Sequence, residues 1–214
     1  MNETRLSGAL PDVVVIDTCV LISNIVRPLL LRMAAHGCFR PAWSAVIGDE
    51  WQRTASRVWN VAQADVQAQW DALQQAFPGA DQGDIAPYKE GLRRSDPKDW
   101  HVVAAARAAR ERDPASSVAV LTRNIRDFNR TELRGLGLSL FDPDQFLVRC
   151  WALWPDLMRS LFARMPSDLA AAGRTAPPID VLLKRERLFR LSRLQSGQSG
   201  ARLEPAVMSA GTMP

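Results

Sequence analysis

The residues best equipped for chemistry in this sequence are acids: Asp17, Glu50, Asp96, Asp99 and Asp127, with Asn124 as a neutral oxygen donor. Asp96 and Asp99 open the stretch Asp-Pro-Lys-Asp-Trp-His-Val-Val-Ala-Ala-Ala, residues 96–106. Asp96 is a natural helix N-cap, Pro97 suits a first helical turn, and acids there complement the positive helix end. A capped, half-buried helix accounts for both acids by itself. A cap likewise accounts for Asp17, and a solvated helix face for Glu50. Brought together, however, carboxylates repel: two held ~5 Å apart at an effective dielectric near 20 cost roughly 3 kcal/mol. Such a cluster persists only if some acids stay protonated or a cation lies between them. Oxygen-only ligands suit Mg²⁺ or Mn²⁺, which bind through one or two carboxylates, waters and substrate phosphate oxygens. That arrangement cleaves phosphodiesters. The alternatives are poorly supplied. His36 and His101 are the two histidines, and Cys19, Cys38 and Cys150 have no CxxC spacing, so zinc and Cys–His catalysis are disfavoured. His101, two residues from Asp99, reads as a hydrogen-bonded core histidine rather than a general base.

The elements that must carry these acids can be read from the pattern of apolar residues. Val13–Ile16 is a compact β-branched run, expected to be a buried parallel strand that ends at Asp17. In open α/β sheets ligands bind beyond the carboxyl ends of strands. Ser117–Thr122 is a second buried strand, and it too delivers polar groups at its end: Thr122, Asn124 and Asp127. Short strands are expected at Phe39–Trp43 and Gly137–Phe141. Helices are expected over 20–35, kinked or broken at Pro28, from Ser44 through Glu50 and Trp51, over 58–77, from Asp99 to about Glu111, and from Asp142 through Val148. This alternation predicts a three-layer α/β domain with a central, mostly parallel sheet flanked by helices, over residues 1–150. A helical C-terminal region is expected over 151–195, as two helices, Trp151–Arg164 and Pro177–Gln195, joined by a Gly/Ala/Pro linker, with a disordered Gly/Ser/Ala/Pro-rich tail over 196–214.

With 47% apolar and 23% charged residues the composition is that of an ordinary water-soluble protein. No apolar run is long enough for a membrane span, and Met1–Pro11 is no signal peptide, which together predict a cytoplasmic protein. The charge of +4 is unevenly placed: residues 1–150 hold 18 basic and 18 acidic residues, and the remainder hold 9 and 5. A basic tail beside an acid-bearing body suggests a polyanionic partner, nucleic acid first; a solvated helix face would look the same.

Four stretches in this order resemble the PIN domain: Val-Val-Val-Ile-Asp17-Thr-Cys-Val-Leu-Ile, then Ser44 to Glu50, then Asp96-Pro-Lys-Asp99-Trp-His-Val-Val-Ala-Ala-Ala, then Leu-Thr-Arg-Asn124-Ile-Arg-Asp127-Phe. The resemblance covers about residues 12–148 and is nearest to the VapC-type toxins with an added C-terminal helical region. It implies a Mg²⁺- or Mn²⁺-dependent endoribonuclease, a cognate antitoxin protein as partner, and a tendency to dimerise. Carried over residue by residue, Asp17 matches the family's first acid, Glu50 the second, and Asp99 the third. These three are the implied metal ligands. Asp96 is an extra acid of this subgroup. Asn124 stands where many relatives have Asp, so Asp127 is expected to substitute or to bind a second ion through water. Thr18 and Thr122 are expected to position phosphate or water, and attack on single-stranded RNA would leave 5′-phosphate and 3′-hydroxyl ends. Lys184, Arg185, Arg187 and Arg190 are expected to hold RNA. If the tail docks the antitoxin instead, Leu182, Leu188, Phe189 and Leu191 matter more. The competing readings are a non-toxin PIN nuclease in RNA maturation, and a catalytically impaired RNA- or protein-binding module.

Overall fold

The computed structural model describes residues 10–171 and 177–200. Four strands, β1 Val13–Ile16, β2 Arg40–Ala42, β3 Val118–Leu121 and β4 Leu138–Phe141, form one sheet in the order β2-β1-β3-β4. All three pairings are parallel; Val15 lies opposite both Ala42 and Val120, and Leu121 opposite Phe141. Every residue of β1 and β3 is buried, as strands covered by helices on both faces must be. The three-layer α/β architecture is therefore the one the apolar runs predicted.

Ten α-helices surround the sheet among the described residues. They are α1 Thr18–Leu21, α2 Val26–Ala35, α3 Ala45–Trp59, α4 Gln63–Ala76, α5 Trp100–Arg112, α6 Arg130–Gly135, α7 Pro143–Leu153, α8 Pro155–Ala171, α9 Ile179–Arg185 and α10 Phe189–Gly200. Helix α5 lies on β1 and β3. Its alanines at 104, 105, 106, 108 and 109 are all buried, which lets its backbone approach the sheet closely. Ser44 caps α3 as expected, accepting from the Ile47 amide. Trp43, Trp51 and Trp70 pack on one another between α3 and α4. Gly48 is needed there, because a Cβ at that position would collide with the Trp70 ring.

Two expected helices are interrupted. The 20–35 segment breaks before Pro28, at 22–25, where Ser23 Oγ accepts the amides of Ile25 and Val26. Pro28 then falls in the first turn of α2, where its missing N–H costs nothing, so it does not kink the helix. The 58–77 segment breaks at Asn60, which adopts the left-handed conformation (φ 52°) that ends α3.

The C-terminal helices are fastened to the sheet domain by carboxylates. Asp144 on α7 is buried, and its two oxygens accept the amides of Arg190 and Leu191 at 2.9 and 3.0 Å, capping α10 from outside. The expected second tail helix is split at Arg187, whose φ of 59° turns the chain between α9 and α10. Leu182, Leu183, Leu188 and Leu191 are buried, and Phe189 is exposed. Three of the four apolar residues considered for antitoxin docking are thus already packed inside the fold. Helix α10 reaches Gly200; the rest of the tail, residues 201–214, and residues 172–176 of the linker lie outside the described residues. No described helix is long and apolar enough to cross a membrane. Asp144→Ala should release the start of α10, costing about 1–2 kcal/mol by the usual value of a cap. The measurement is hydrogen exchange: the Arg190 and Leu191 amides should lose protection while those of β1 and β3 keep it.

Candidate active site

The sheet order places the ends of β1 and β3 side by side, and the residues that follow them meet. Asp17 leaves β1 as the N-cap of α1, with its amide bonded to the Leu121 carbonyl. Its side chain, 4% exposed, makes no capping bond and turns to the neighbouring strand. Asp17 Oδ2 accepts from Thr122 Oγ1 at 2.6 Å and from Cys19 Sγ at 3.1 Å. The Thr122 hydroxyl, in turn, accepts from the Asn124 amide at 3.0 Å. One carboxylate oxygen of Asp17 is thereby fixed, and Oδ1 has no hydrogen bond among the described residues.

Asp99 ends a 3₁₀ turn, Pro97–Asp99, that leads into α5. Asp96 caps this turn as expected, accepting from the Lys98 amide at 3.1 Å. Asp99 is 8% exposed, and its Oδ2 is buried without a hydrogen-bond partner. Burial, reinforced by the charge of Asp17, pushes its carboxyl up to about 6. This is a carboxylate held where ionisation is disfavoured, facing another acid.

Glu50 approaches from α3. Its Oε2 accepts from Thr18 Oγ1 at 3.0 Å and lies 3.2 Å from His101 Nε2. His101 Nδ1 is 2.9 Å from the Lys98 carbonyl, which can only accept, so that nitrogen carries a proton. A neutral ring would then set a lone pair on Nε2 against the Glu50 carboxylate. Nε2 is buried and makes no well-aligned hydrogen bond, so the contact is electrostatic, and the protonated ring is the form that the Glu50 carboxylate favours. The neighbouring imidazole lowers the Glu50 carboxyl below its usual range despite partial burial. Burial disfavours charge on His101, but Glu50, Asp17 and the Lys98 carbonyl outweigh it and the imidazole is raised.

The remaining expected acids are arranged differently. Lys98 Nζ lies 3.1 Å from Asp127 Oδ2 and 3.4 Å from Asp96 Oδ2, and these acids, Asp127 foremost, raise its ammonium above the usual range. The Asp96 amide also donates to the Asp127 carbonyl at 2.8 Å, tying the two loops together. Asp96 and Asp127 thus share one lysine, which offsets half of the charge at this rim. Asn124 is exposed and its side chain makes no hydrogen bond among the described residues. Thr18 and Thr122 spend their hydroxyls on Glu50 and Asp17, so what they orient directly is the acids. Of the basic tail residues, Lys184 pairs with Asp180, Arg187 forms the α9–α10 turn, Arg190 starts α10, and Arg185 borders a cleft beside Cys19.

Several residues that shape the site carry little sequence signal. Glu132 accepts from the amides of Arg93, Arg94 and Ser95 at 2.8, 3.0 and 2.9 Å and from Ser95 Oγ at 2.6 Å, holding the segment that delivers Asp96 and Asp99. Asn129-x-x-Glu132 is recognisable as a helix-start pair, and Asn129 does cap α6. The glutamate reaches instead to a segment nearly forty residues earlier. Arg123 is ion-paired with Glu186 and also donates to its carbonyl at 2.8 Å, while Ser23 Oγ donates to the same carboxylate at 2.8 Å. Cys19 is no nucleophile: burial and the adjacent Asp17 push its thiol up to about 12.

Among the described residues no group of three or more His, Cys, Asp or Glu side chains is gathered tightly enough to hold a metal ion alone. The donors nevertheless suit a hard dication. Asp99 offers an orphaned buried oxygen, Asp17 a free one, and Mg²⁺ commonly takes one or two carboxylates and fills its remaining positions with water and phosphate oxygens. No curated protein and no solved structure gives a significant match to the chain. A family model described as PIN domain matches residues 13–126, a span that contains Asp17, Glu50, Asp99 and Thr122 and stops just short of Asp127. That match runs over more than half of the sequence, so the chain belongs to the PIN domain family, whose members are generally nucleases that typically use divalent metals.

Proposed function

We propose that the protein is a Mg²⁺- or Mn²⁺-dependent endoribonuclease that cuts single-stranded RNA, acting as the VapC-like toxin of a type II toxin–antitoxin pair, with residues 151–195 as its helical extension. The observation that carries this reading is the Asp99 carboxylate, buried, unpartnered and raised to about 6 beside Asp17. Asp17 and Asp99 would hold the ion, with Glu50 completing the acid set. Bound there, a divalent cation supplies charge neutralisation at the phosphate and a more acidic attacking water.

The chain's own residues do the positioning. Thr122 fixes one oxygen of Asp17, which leaves the other free to face the substrate side. Thr18 holds Glu50 against α1. His101 keeps a proton on Nε2 opposite Glu50, so that Glu50 remains ionised and available to orient water. Lys98 offsets Asp96 and Asp127, which lessens the repulsion a phosphate backbone would meet at the rim. The expected result is that purified protein cleaves single-stranded RNA with Mg²⁺ or Mn²⁺, leaves 5′-phosphate and 3′-hydroxyl ends, and stops when the ions are chelated. Cleavage that survives chelation would overturn the metal assignment. Growth arrest on expression, relieved by the product of an adjacent gene, tests the toxin role separately.

A further inference from the structure

A cleft of about 560 Å³ opens beside the acid site, between the α1–α2 turn, the end of α3 and helix α9. Its volume lies within the ~300–1,000 Å³ range of small-ligand sites. Cys19 is shared between the two: it lines the cleft, and its Sγ touches Asp17 Oδ2 at 3.1 Å. The cleft and the acid site are therefore adjacent, with Cys19 between them. The cleft combines one flat aromatic ring, apolar walls, two arginines and the Glu186 carboxylate. Trp59 lines it, half-buried, with the Arg27 guanidinium over the ring at 4.8 Å and Trp51 edge-on at 5.7 Å. Those two neighbours hold the indole in place, so stacking on it costs little ordering. Val58 stands 60% exposed beside it. Arg123 is fixed by Glu186, and Arg185 is exposed with no ion pair among the described residues.

We propose that this cleft is a nucleotide subsite: it takes one unstacked base of the RNA strand next to the cleaved bond, the base against Trp59 and its phosphate toward Arg185. The inference rests on the nuclease reading above. It gives the helical extension a role at the active site, since α9 forms one wall and supplies the cation. Bases stacked on aromatic side chains are the general mode by which proteins grip single strands, and the flat face tolerates any base.

The test measures binding and cutting separately. Binding of a labelled short single-stranded RNA is followed by anisotropy in an Asp17→Asn background, which holds RNA without cutting it. Trp59→Ala should weaken binding roughly 5- to 150-fold, the usual worth of one stacked base, and Trp59→Phe should recover most of it. Val58→Glu, at an exposed position that cannot unfold the core, should weaken binding by a further charge repulsion that fades as salt rises. In the cleaving parent the same changes should slow cutting at limiting RNA concentration. If both Trp59→Ala and Val58→Glu bind and cut as the parent does, the subsite is wrong while the nuclease reading stands. If the parent cuts no RNA, the nuclease reading fails; unchanged anisotropy in the two variants would still refute the cleft by itself.

Discussion

Asparagine in place of Asp99 is expected to end RNA cleavage while making the metal-free protein harder to unfold at neutral pH. On the proposed metal assignment, the loss of activity follows from removing a ligand whose ion is worth several kcal/mol of transition-state stabilisation, on the order of 10³-fold in rate or more. The gain in stability follows from the cost of ionising Asp99 in the fold. Its carboxyl is pushed up to about 6, against an ordinary value of 3.8, first because of burial and then because of Asp17. The folded state therefore binds this proton more tightly than the unfolded chain. Below pH 3.8 the group costs nothing; stability falls as pH rises from there through about 6, and stays reduced above it. Asparagine cannot ionise and escapes the penalty. A full conversion at about 1.4 kcal/mol per pKa unit overstates the effect, because the side chain sits just under the surface; about 1–2 kcal/mol is expected. Thermal unfolding in chelator, from acid to neutral pH, measures it, and the variant's advantage should vanish in acid. Adding Mg²⁺ or Mn²⁺ should raise the midpoint of the parent alone. A variant that still cleaves, or that unfolds more easily than the parent at neutral pH, would contradict the assignment of Asp99.

Glu132→Ala should also silence the enzyme, by the opposite thermodynamic route. Four hydrogen bonds converge on this carboxylate from residues 93–95. Bonds to charged groups contribute roughly 1.5–3 kcal/mol each when shielded, but the amides of Arg93 and Arg94 are near water, so the total is nearer 3 kcal/mol. The freed segment carries Asp96 and, four residues on from Ser95, Asp99. Activity should therefore fall with stability, and added Mg²⁺ should restore less of the midpoint than in the parent. The pH dependence runs contrary to that of Asp99. Burial tends to raise the Glu132 carboxyl, but Ser95 and the three amides more than offset this and hold it below its usual value. Its contribution is present above the unfolded value of 4.5 and disappears as pH falls through the lower folded one. Glu132→Gln, which keeps the shape and one acceptor, should lie between parent and alanine. An alanine variant with parental stability would show that the 93–99 segment holds itself.

The two pH responses show which features the sequence revealed and which it hid. Strands β1 and β3 are readable because burial on both faces leaves uninterrupted apolar runs, Val-Val-Val-Ile and Val-Ala-Val-Leu, and the polar residues that follow them stand out against that background. Asp96 was readable as a cap because capping is local. Glu132 was not, since its partners lie 37–39 residues away and no periodicity encodes them. The His101–Glu50 contact was hidden for the same reason: α3 and α5 meet only once the sheet is assembled. Pro28 misled because its effect depends on where the helix starts, and Ser23 sets that start by capping two residues before the apolar run resumes. Lys98 sits between two acids in the sequence, but only the fold brings Asp127 to it, so that one ammonium is shared by Asp96 and Asp127.

The strand order bears on when during synthesis the site can assemble. Its first acid is translated at position 17, yet the hydroxyl that bonds it arrives at position 122, just past the strand that pairs with β1. No N-terminal fragment lacking β3 can bring Asp17 and Thr122 together, so more than half of the sequence must be synthesised before this carboxylate can take its folded surroundings.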